Sequence, residues 1–354
     1  MTGVQTCALP IFRDIAAKPR KLFTWVDLDN DGIVDSGEQI PFDTAGSTPA
    51  TLAPYLRATA TGTFTSTNII NFMHGNQITG MRNRMKLVDG ELKVWRLGDV
   101  INSTPTIVGA PRERFDILYG DQGYRGFAQR WKNRRITAYV GANDGMLHAF
   151  NGGYFHRGDD PGTTAVEHGY YTTGETADDS TKPQMGEEVW GFIPYYLLPQ
   201  IRWLAETGYT HVSYVDLKPK VTEVNIFTEE SDCGGGTTPT NAGCKHPGGW
   251  GTVLILGLKY GGSCKACTAK ASENNGGPAL TVKADFNGDG DTSDTDDTRE
   301  FLSGYIVLDI TDPDVMPTVL TAFTSSKLGL TTSYPTVVRM SPSTDSKKIG
   351  RAHV

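Results

Sequence analysis

Cysteine is scarce in this chain, with five in 354 residues. No apolar run approaches the length of a bilayer span, so the sequence predicts no transmembrane segment. There is no adjacent Cys-Cys pair, no nucleophile elbow and no glycine loop opening a helix to cradle phosphate. Histidines 74, 148, 156, 168, 211 and 246 are scattered without metal-ligand spacing, and His148 reads as a satisfied interior side chain. Charge of one sign is also missing: the net charge is −7. Binding a nucleic-acid backbone needs clustered Lys and Arg, so no nucleic-acid partner is expected. The one basic cluster, Arg125, Arg130, Lys132, Arg134 and Arg135, reads as a solvated loop before a strand. Gly120-Asp121-Gln122-Gly123 and Gly234-Gly235-Gly236 read as turns that open no helix.

What is present is globular: 38% apolar and 21% charged residues. The 41 glycines, with many Thr, Asn and Asp, suit a turn-rich all-β chain. The two ends stand apart. Residues 1–11 and 349–354 back-translate into opposite strands of one DNA duplex that resembles a sequencing adapter. The expectation is that both are non-native, that Cys7 is not a genuine cysteine, and that about residues 12–348 are natural. Cys233, Cys244, Cys264 and Cys267 then remain, all in Gly-rich connections. They read as disulfides Cys233–Cys244 and Cys264–Cys267 of an oxidising compartment, with a four-thiolate zinc site as the alternative.

Strand signals dominate after residue 92. Residues 136–142 and 146–150 flank Asn143-Asp144-Gly145, a hairpin signal for a type I′ turn. Further strands are expected at Thr104–Val108, Val189–Ile193, His211–Leu217, Val221–Phe227, Thr252–Leu258, Tyr305–Ile310 and Pro335–Met340. A short helix is expected at Tyr195–Glu206, after Pro194 and before Gly208. An internal echo organises these strands. Thr104-Pro105-Thr106-Ile107-Val108 resembles Tyr334-Pro335-Thr336-Val337-Val338, and Pro219-Lys220-Val221 lies midway. A proline entering a strand suits the first, innermost strand of a sheet, and radial repetition of such sheets is a propeller. The expectation is a partial β-propeller with long loop insertions, at 151–187, 229–248 and 261–301; a β-sandwich is the alternative. Residues 12–67 would form a lead-in and residues 68–348 the propeller part.

The sharpest chemical signal is the twelve-residue stretch from Asp27 to Glu38. It matches the calcium loop at positions 1, 3, 5, 6, 9 and 12. Asp27, Asp29, Asp31 and Asp35 supply carboxylates, Ile33 a backbone carbonyl, and Glu38 closes the shell; Gly32 permits the turn. A second stretch, Asp285 to Asp296, keeps the pattern with Asp285, Asn287, Asp289 and Asp291, and has Asp296 in place of the closing Glu. Ca²⁺ is therefore the expected cofactor. Crowded carboxylates repel without a cation; a solvated acidic turn is the bland alternative for each loop.

Five segments together are familiar as an ordered set: 95–105 (Trp-Arg-Leu-Gly-Asp-Val-Ile-Asn-Ser-Thr-Pro), 139–150, Trp190-Gly191-Phe192-Ile193-Pro194, 249–254 and Leu308-Asp309-Ile310-Thr311-Asp312-Pro313. They resemble the C-terminal propeller of the PilY (PilC) family of type IV pilus tip and biogenesis proteins, over about residues 68–340. The resemblance implies a modified, quinoprotein-like propeller that is not an enzyme. It implies a pilus-tip, cell-surface or outer membrane–periplasm location in a Gram-negative bacterium. It implies roles in pilus assembly and surface adhesion, with minor pilins and host or abiotic surfaces as partners. The family's own calcium loop would fall beyond residue 348, so the two loops here are not equated with it. The segment at 140–150 also resembles the blade repeat of pyrroloquinoline-quinone dehydrogenases, which leaves an enzyme as one alternative; a free-standing carbohydrate-binding propeller is another.

Overall fold

The expected hairpin forms where its two apolar runs lie, in a computed structural model that describes residues 15–164, 166–234, 243–267 and 277–338. The chain enters through β1 (Leu22–Trp25) and β2 (Gln39–Pro41). Helices α1 (Thr48–Leu52) and α2 (Ser66–His74) follow, then a ribbon of β3 (Met85–Val88) and β4 (Glu91–Val94). The first large sheet takes β5 (Thr106–Val108), β6 (Ile136–Gly141), β7 (Leu147–Arg157) and β9 (Glu188–Ile193), with β8 (Gly169–Thr172) on the far end of β7. Helices α3 (Phe115–Leu118) and α4 (Gln122–Arg130) lie between β5 and β6, and α5 (Leu198–Ala205) follows β9. The second large sheet holds β10 (Lys220–Asn225), β11 (Trp250–Leu256), β16 (Gly304–Asp309) and β17 (Thr318–Thr324). Between β11 and β16 lie β12 (Ser263–Cys264), β13 (Gly277–Pro278), β14 (Leu280–Lys283) and β15 (Thr298–Phe301).

Each large sheet contains a four-stranded antiparallel meander, β5-β6-β7-β9 and β10-β11-β16-β17. Both begin on a strand led by proline. The two leading edges meet: Thr106 Oγ1 donates to the Pro219 carbonyl at 3.0 Å, and Asn102 donates twice to the Asp216 carboxylate. All-β is thus the right class, with few helices and no sheet closed into a barrel among the described residues. On the outer side of the first meander, β1 pairs in parallel with β9, Leu22 opposite Gly191, and β2 pairs antiparallel with β1. One core cluster runs through both sheets, from Trp25, Trp190 and Phe192 to Leu254, Ile306 and Leu308.

Several expectations need correction. The Asn143-Asp144-Gly145 turn is not type I′: only Gly145 has positive φ, +92°. A longer turn closes instead by the Ala142–Met146 backbone bond, and it frees the Asp144 side chain for other partners. The two-residue turn with positive φ at both positions lies at Asp89-Gly90, between β3 and β4. His211–Leu217 is no strand. The segment buries Tyr214 and Val215; Val215 N–H donates singly to Ala142 O and Asp216 N–H to Leu258 O, without forming a ladder. Tyr334–Val338 forms no strand either, and residues 339–340 lie outside the described ones, as do both terminal peptides. The helix after Pro194 is split into a 3₁₀ turn, Tyr195–Leu197, and α5.

Gly120-Asp121 does open a helix. The Asp121 carboxylate accepts from Tyr124 N–H at 2.9 Å and caps α4, which buries Tyr124 and Phe127 against Trp250. The basic cluster is not a solvated loop. Arg125 and Arg130 lie on α4, and Arg134 and Arg135 are buried. Arg134 donates to Gly109 O, Thr252 Oγ1 and Thr311 O; Arg135 reaches Asp314, Asn151 Oδ1 and Pro313 O. Five donors in a planar fork let one guanidinium satisfy carbonyls from both sheets, which is why these arginines are inside.

Candidate metal centre

The first acidic loop is the tip of the β1–β2 hairpin. Val26 N–H donates to Glu38 O at 3.0 Å and closes it. Inside, carboxylates fold the backbone around themselves. Asp27 Oδ2 accepts from Gly32 N–H at 3.1 Å, Asp29 Oδ1 from Asp31 N–H at 3.3 Å, and Asp31 Oδ1 from Ile33 N–H at 2.7 Å. Glu38 is held from three sides. Leu28 N–H reaches Oε1 at 2.6 Å; Asp35 N–H and the Trp25 indole reach Oε2 at 2.9 and 3.0 Å. Asn30 (φ +64°) and Gly32 (φ +78°) make the sharp reversal.

One carboxylate oxygen from each of Asp27, Asp29 and Glu38 lies within 4.8 Å of the other two, and Asp29, Asp31 and Asp35 form a second such group. Asp27 is 4% exposed, and its Oδ1 is buried without a hydrogen-bond partner. An orphaned buried carboxylate oxygen is costly. Burial, and then the nearby Glu38, push the Asp27 carboxyl above its ordinary range. Asp35 is also raised, through desolvation and then Asp31 and Asp29. Hard oxygen donors converging on an unpaired buried oxygen fit a hard divalent cation of calcium's type. Ile33 sits in the same turn with its side chain in solvent.

The second loop is the tip of the β14–β15 hairpin, closed by the same bond: Ala284 N–H donates to Asp297 O at 2.9 Å. Ala284 precedes Asp285 as Val26 precedes Asp27, so Asp297 stands where Glu38 does. The Asp285 oxygens accept from Gly288 and Gly290 N–H at 2.6 and 3.1 Å; Asn287 Oδ1 accepts from Asp289 N–H, and Asp289 Oδ1 from Asp291 N–H, both at 3.0 Å. The acidic group comprises Asp289, Asp291 and Asp294. Asp296 is exposed and lies outside it. Asp297 is fully buried, accepts Asp294 N–H on Oδ2 at 3.0 Å, and has Oδ1 without a partner. Glu38 accepts Asp35 N–H in the same way, three residues back. The second loop is therefore one residue longer, and the i, i+3 spacing of Asp294 and Asp297 was the sequence signal for it. Asp294 is raised by its hydrogen bond to Asp289, which is lowered in turn by its own donors, chiefly Asp291 N–H.

The two hairpins are bolted together. Arg299, on β15, donates to the carbonyls of Asp27 and Leu28 and to Tyr55 Oη, and Tyr55 Oη donates to Asp27 O at 3.0 Å. The guanidinium lies 4.7 Å from the Phe286 ring centre, and Phe286 meets Tyr55 edge-on. Burial pushes the Tyr55 hydroxyl up to about 12. Nothing in the sequence marked Arg299.

The cysteines are paired as expected, Cys233–Cys244 and Cys264–Cys267, so their sulfurs are not a four-thiolate zinc site. His148 is an interior side chain, 1% exposed. It bridges Glu188 at 2.7 Å and Asp144 at 3.0 Å, and Arg20 pairs with Glu188 from the other side. Burial opposes the His148 charge, but Asp144 and Glu188 outweigh it and raise the imidazole to about 9.

No family model and no solved structure matches the chain. Among curated proteins it is similar to the type IV pilus biogenesis factor PilY1 homolog of Xylella fastidiosa, 29% identical over 192 residues, which is 53% of this chain and 12% of the relative. It is similar also to type IV pilus biogenesis factor PilY1 of Pseudomonas aeruginosa (strain PAO1), 28% identical over 172 residues, 47% of this chain and 10% of the relative. The aligned stretch is thus about a tenth of each relative. The resemblance carried by the ordered motifs is borne out: over about half its length the chain is similar to PilY1 type IV pilus biogenesis factors.

Proposed function

We propose that this chain is a calcium-stabilised propeller segment of a type IV pilus biogenesis factor that acts outside the cytoplasm in pilus assembly and surface attachment. The match to pilus biogenesis factors carries the assembly role. The two disulfides support an oxidising, extracytoplasmic setting. Two proline-led antiparallel meanders that meet along their leading edges support the propeller. The long insertions are the natural contact elements for minor pilins or a solid or host surface, since a rigid sheet holds them out. Foremost is the end of β7 with β8, where the Phe155 and Tyr171 rings meet at a tilt with centres 5.3 Å apart and are both 49% exposed.

Calcium would be held in the first loop by Asp27, Asp29, Asp31, Asp35 and Glu38 with the Ile33 carbonyl. In the second it would be held by Asp285, Asn287, Asp289, Asp291, Asp294 and Asp297. The ion would supply charge compensation that lets both hairpin tips order; the orphaned oxygens of Asp27 and Asp297 support this. The test is genetic. Deleting the complete gene in its host should reduce surface pili, counted by electron microscopy and by shearing, and the full-length wild-type gene should restore them. Unchanged piliation in the deletion strain would sink the assembly role. Full restoration by a double variant, Asp27→Asn with Asp297→Asn, would sink the calcium part alone.

A further inference from the structure

A cleft of about 360 Å³ opens between α2, the base of the β3–β4 ribbon and the turn before β7. Three arginines line it, Arg82, Arg84 and Arg96. Its two carboxylates are already engaged. Asp144 accepts Gly98 N–H at 2.9 Å and pairs with His148; Asp99 pairs with His211 at 2.9 Å and accepts from Asn143 Nδ2 at 3.0 Å. Among the described residues no carboxylate lies within ion-pair distance of Arg82 or Arg84. The Arg82 guanidinium rests 4.2 Å over the Tyr209 ring, with Nε buried and unpartnered. Arg84 lies 3.6 Å over Phe72, also with Nε buried and unpartnered. Its Nη2 donates to Phe72 O and Asn76 O, capping the C-terminal end of α2. Capping accounts for one nitrogen of Arg84 and none of Arg82. Burial, then Arg82, Arg20 and Arg96, lower the Arg84 guanidinium to about 9.

Cations crowded into a half-enclosed site whose carboxylates are paired with histidines are unfavourable unless an anion completes them. An apolar wall of Met73, Met146, Leu204 and Leu97 lies opposite, with Trp95 exposed beside them, while Asn83, Lys86, Asn143 and His211 add polar lining. We propose that this cleft is a binding site for an organic carboxylate whose acid group takes the fork of Arg82 and Arg84 and whose apolar part lies on the aromatic and aliphatic wall. Planar guanidinium matches carboxylate in a bidentate way. The volume exceeds what a bare phosphate fills, and the apolar wall suits an organic body. The carboxylate could belong to a free acid or to an acidic side chain of a peptide; the chemistry is shared.

Calorimetric titration of the whole chain, with calcium held constant, tests this. The probes are glutarate, an acetylated and amidated peptide alternating Glu and Leu, its Gln–Leu counterpart, and inorganic phosphate. Binding by either carboxylate probe, weakened by salt, is the expected result; glutarate alone identifies a free acid and the Glu peptide a peptide source. Arg82→Met should weaken that binding roughly tenfold or more and leave the melting temperature equal or higher, because it removes a repelled cation. Arg82→Lys should recover only part of the affinity. Equal binding of the Glu and Gln peptides, binding of phosphate alone, or no binding by any probe overturns the proposal. So does an Arg82→Met variant that melts lower while binding unchanged, which would make Arg82 a packing residue.

Discussion

The two acidic hairpins share a frame and differ in how the fold holds them. Both open with Asp-x-[Asp/Asn]-x-Asp-Gly, and both are closed by one backbone bond from the residue before the first Asp. The first seats its closing Glu38 under Trp25, and its opening carbonyls on Arg299. The second carries an extra residue, closes with the shorter Asp297 and leaves most of its acids in solvent. A one-residue insertion is absorbed by the 3₁₀ turn Thr295–Asp297, whose capping box keeps Asp294 and Asp297 in register. Counting along the chain puts the twelfth position at Asp296, whereas counting hydrogen bonds back from the strand puts the counterpart of Glu38 at Asp297.

The comparison breaks most readily by removing the ion. A ligand that binds only the folded state at 100 to 1,000 times its Kd stabilises by about 3–4 kcal/mol. Calcium chelation should lower the melting temperature accordingly, read by calorimetry; superimposable melts with calcium and with chelator would leave both loops as mere acidic turns.

The bolt between the hairpins comes next. Arg299→Met strips donors from the buried carbonyls of Asp27 and Leu28 and should cost about 2–3 kcal/mol, measured by urea unfolding. If the loss is as large with chelator as with calcium, Arg299 supports packing only. If it shrinks in chelator, the arginine helps hold the metal-competent loop.

A sharper contrast lies in the sign of one substitution. Asp27 has a folded pKa above its unfolded value. Without calcium its ionisation therefore opposes folding, and that opposition fades as pH falls through the raised pKa. Asp27→Asn should raise the melting temperature in chelator at pH 7 and lower it in calcium. The chelator difference should vanish on acidification. A variant less stable than wild type in both buffers would place the role of Asp27 in hydrogen bonding to Gly32 alone.

The smallest effect separates neighbours in the second loop. Asp297→Asn should reduce calcium stoichiometry from two to one in calorimetric titration, while Asp296→Asn leaves it at two. The opposite pattern would restore the twelve-residue count.

Much of this was legible in the chain. The 136–150 hairpin, the strands near 189, 221, 252 and 305, and both disulfide pairs follow from local alternation, turn residues and spacing. The Asp-rich turns were visible because their carboxylates bond backbone two to five residues away. Missed elements share a physical reason. α2 needed its Thr65 cap and Gly75 stop to be read together with Ile69, Ile70, Phe72 and Met73 as one buried face. α4 was hidden by the reading of Gly120-Asp121 as a plain turn.

What the sequence by itself determined is short-range: which residues turn, which alternate, which cysteines are near enough to pair, and which acids gather at a hairpin tip. Tertiary structure alone decided the rest. It set β1 beside β9, nearly 170 residues away. It buried Arg134, Arg135 and Arg299 among carbonyls of distant strands, and brought Arg82 and Arg84 to one cleft where, among the described residues, neither has a carboxylate at ion-pair distance. Local bonds are encoded in neighbouring residues. Burial and charge pairing depend on which surfaces the closed fold brings into contact, and the linear chain does not display that.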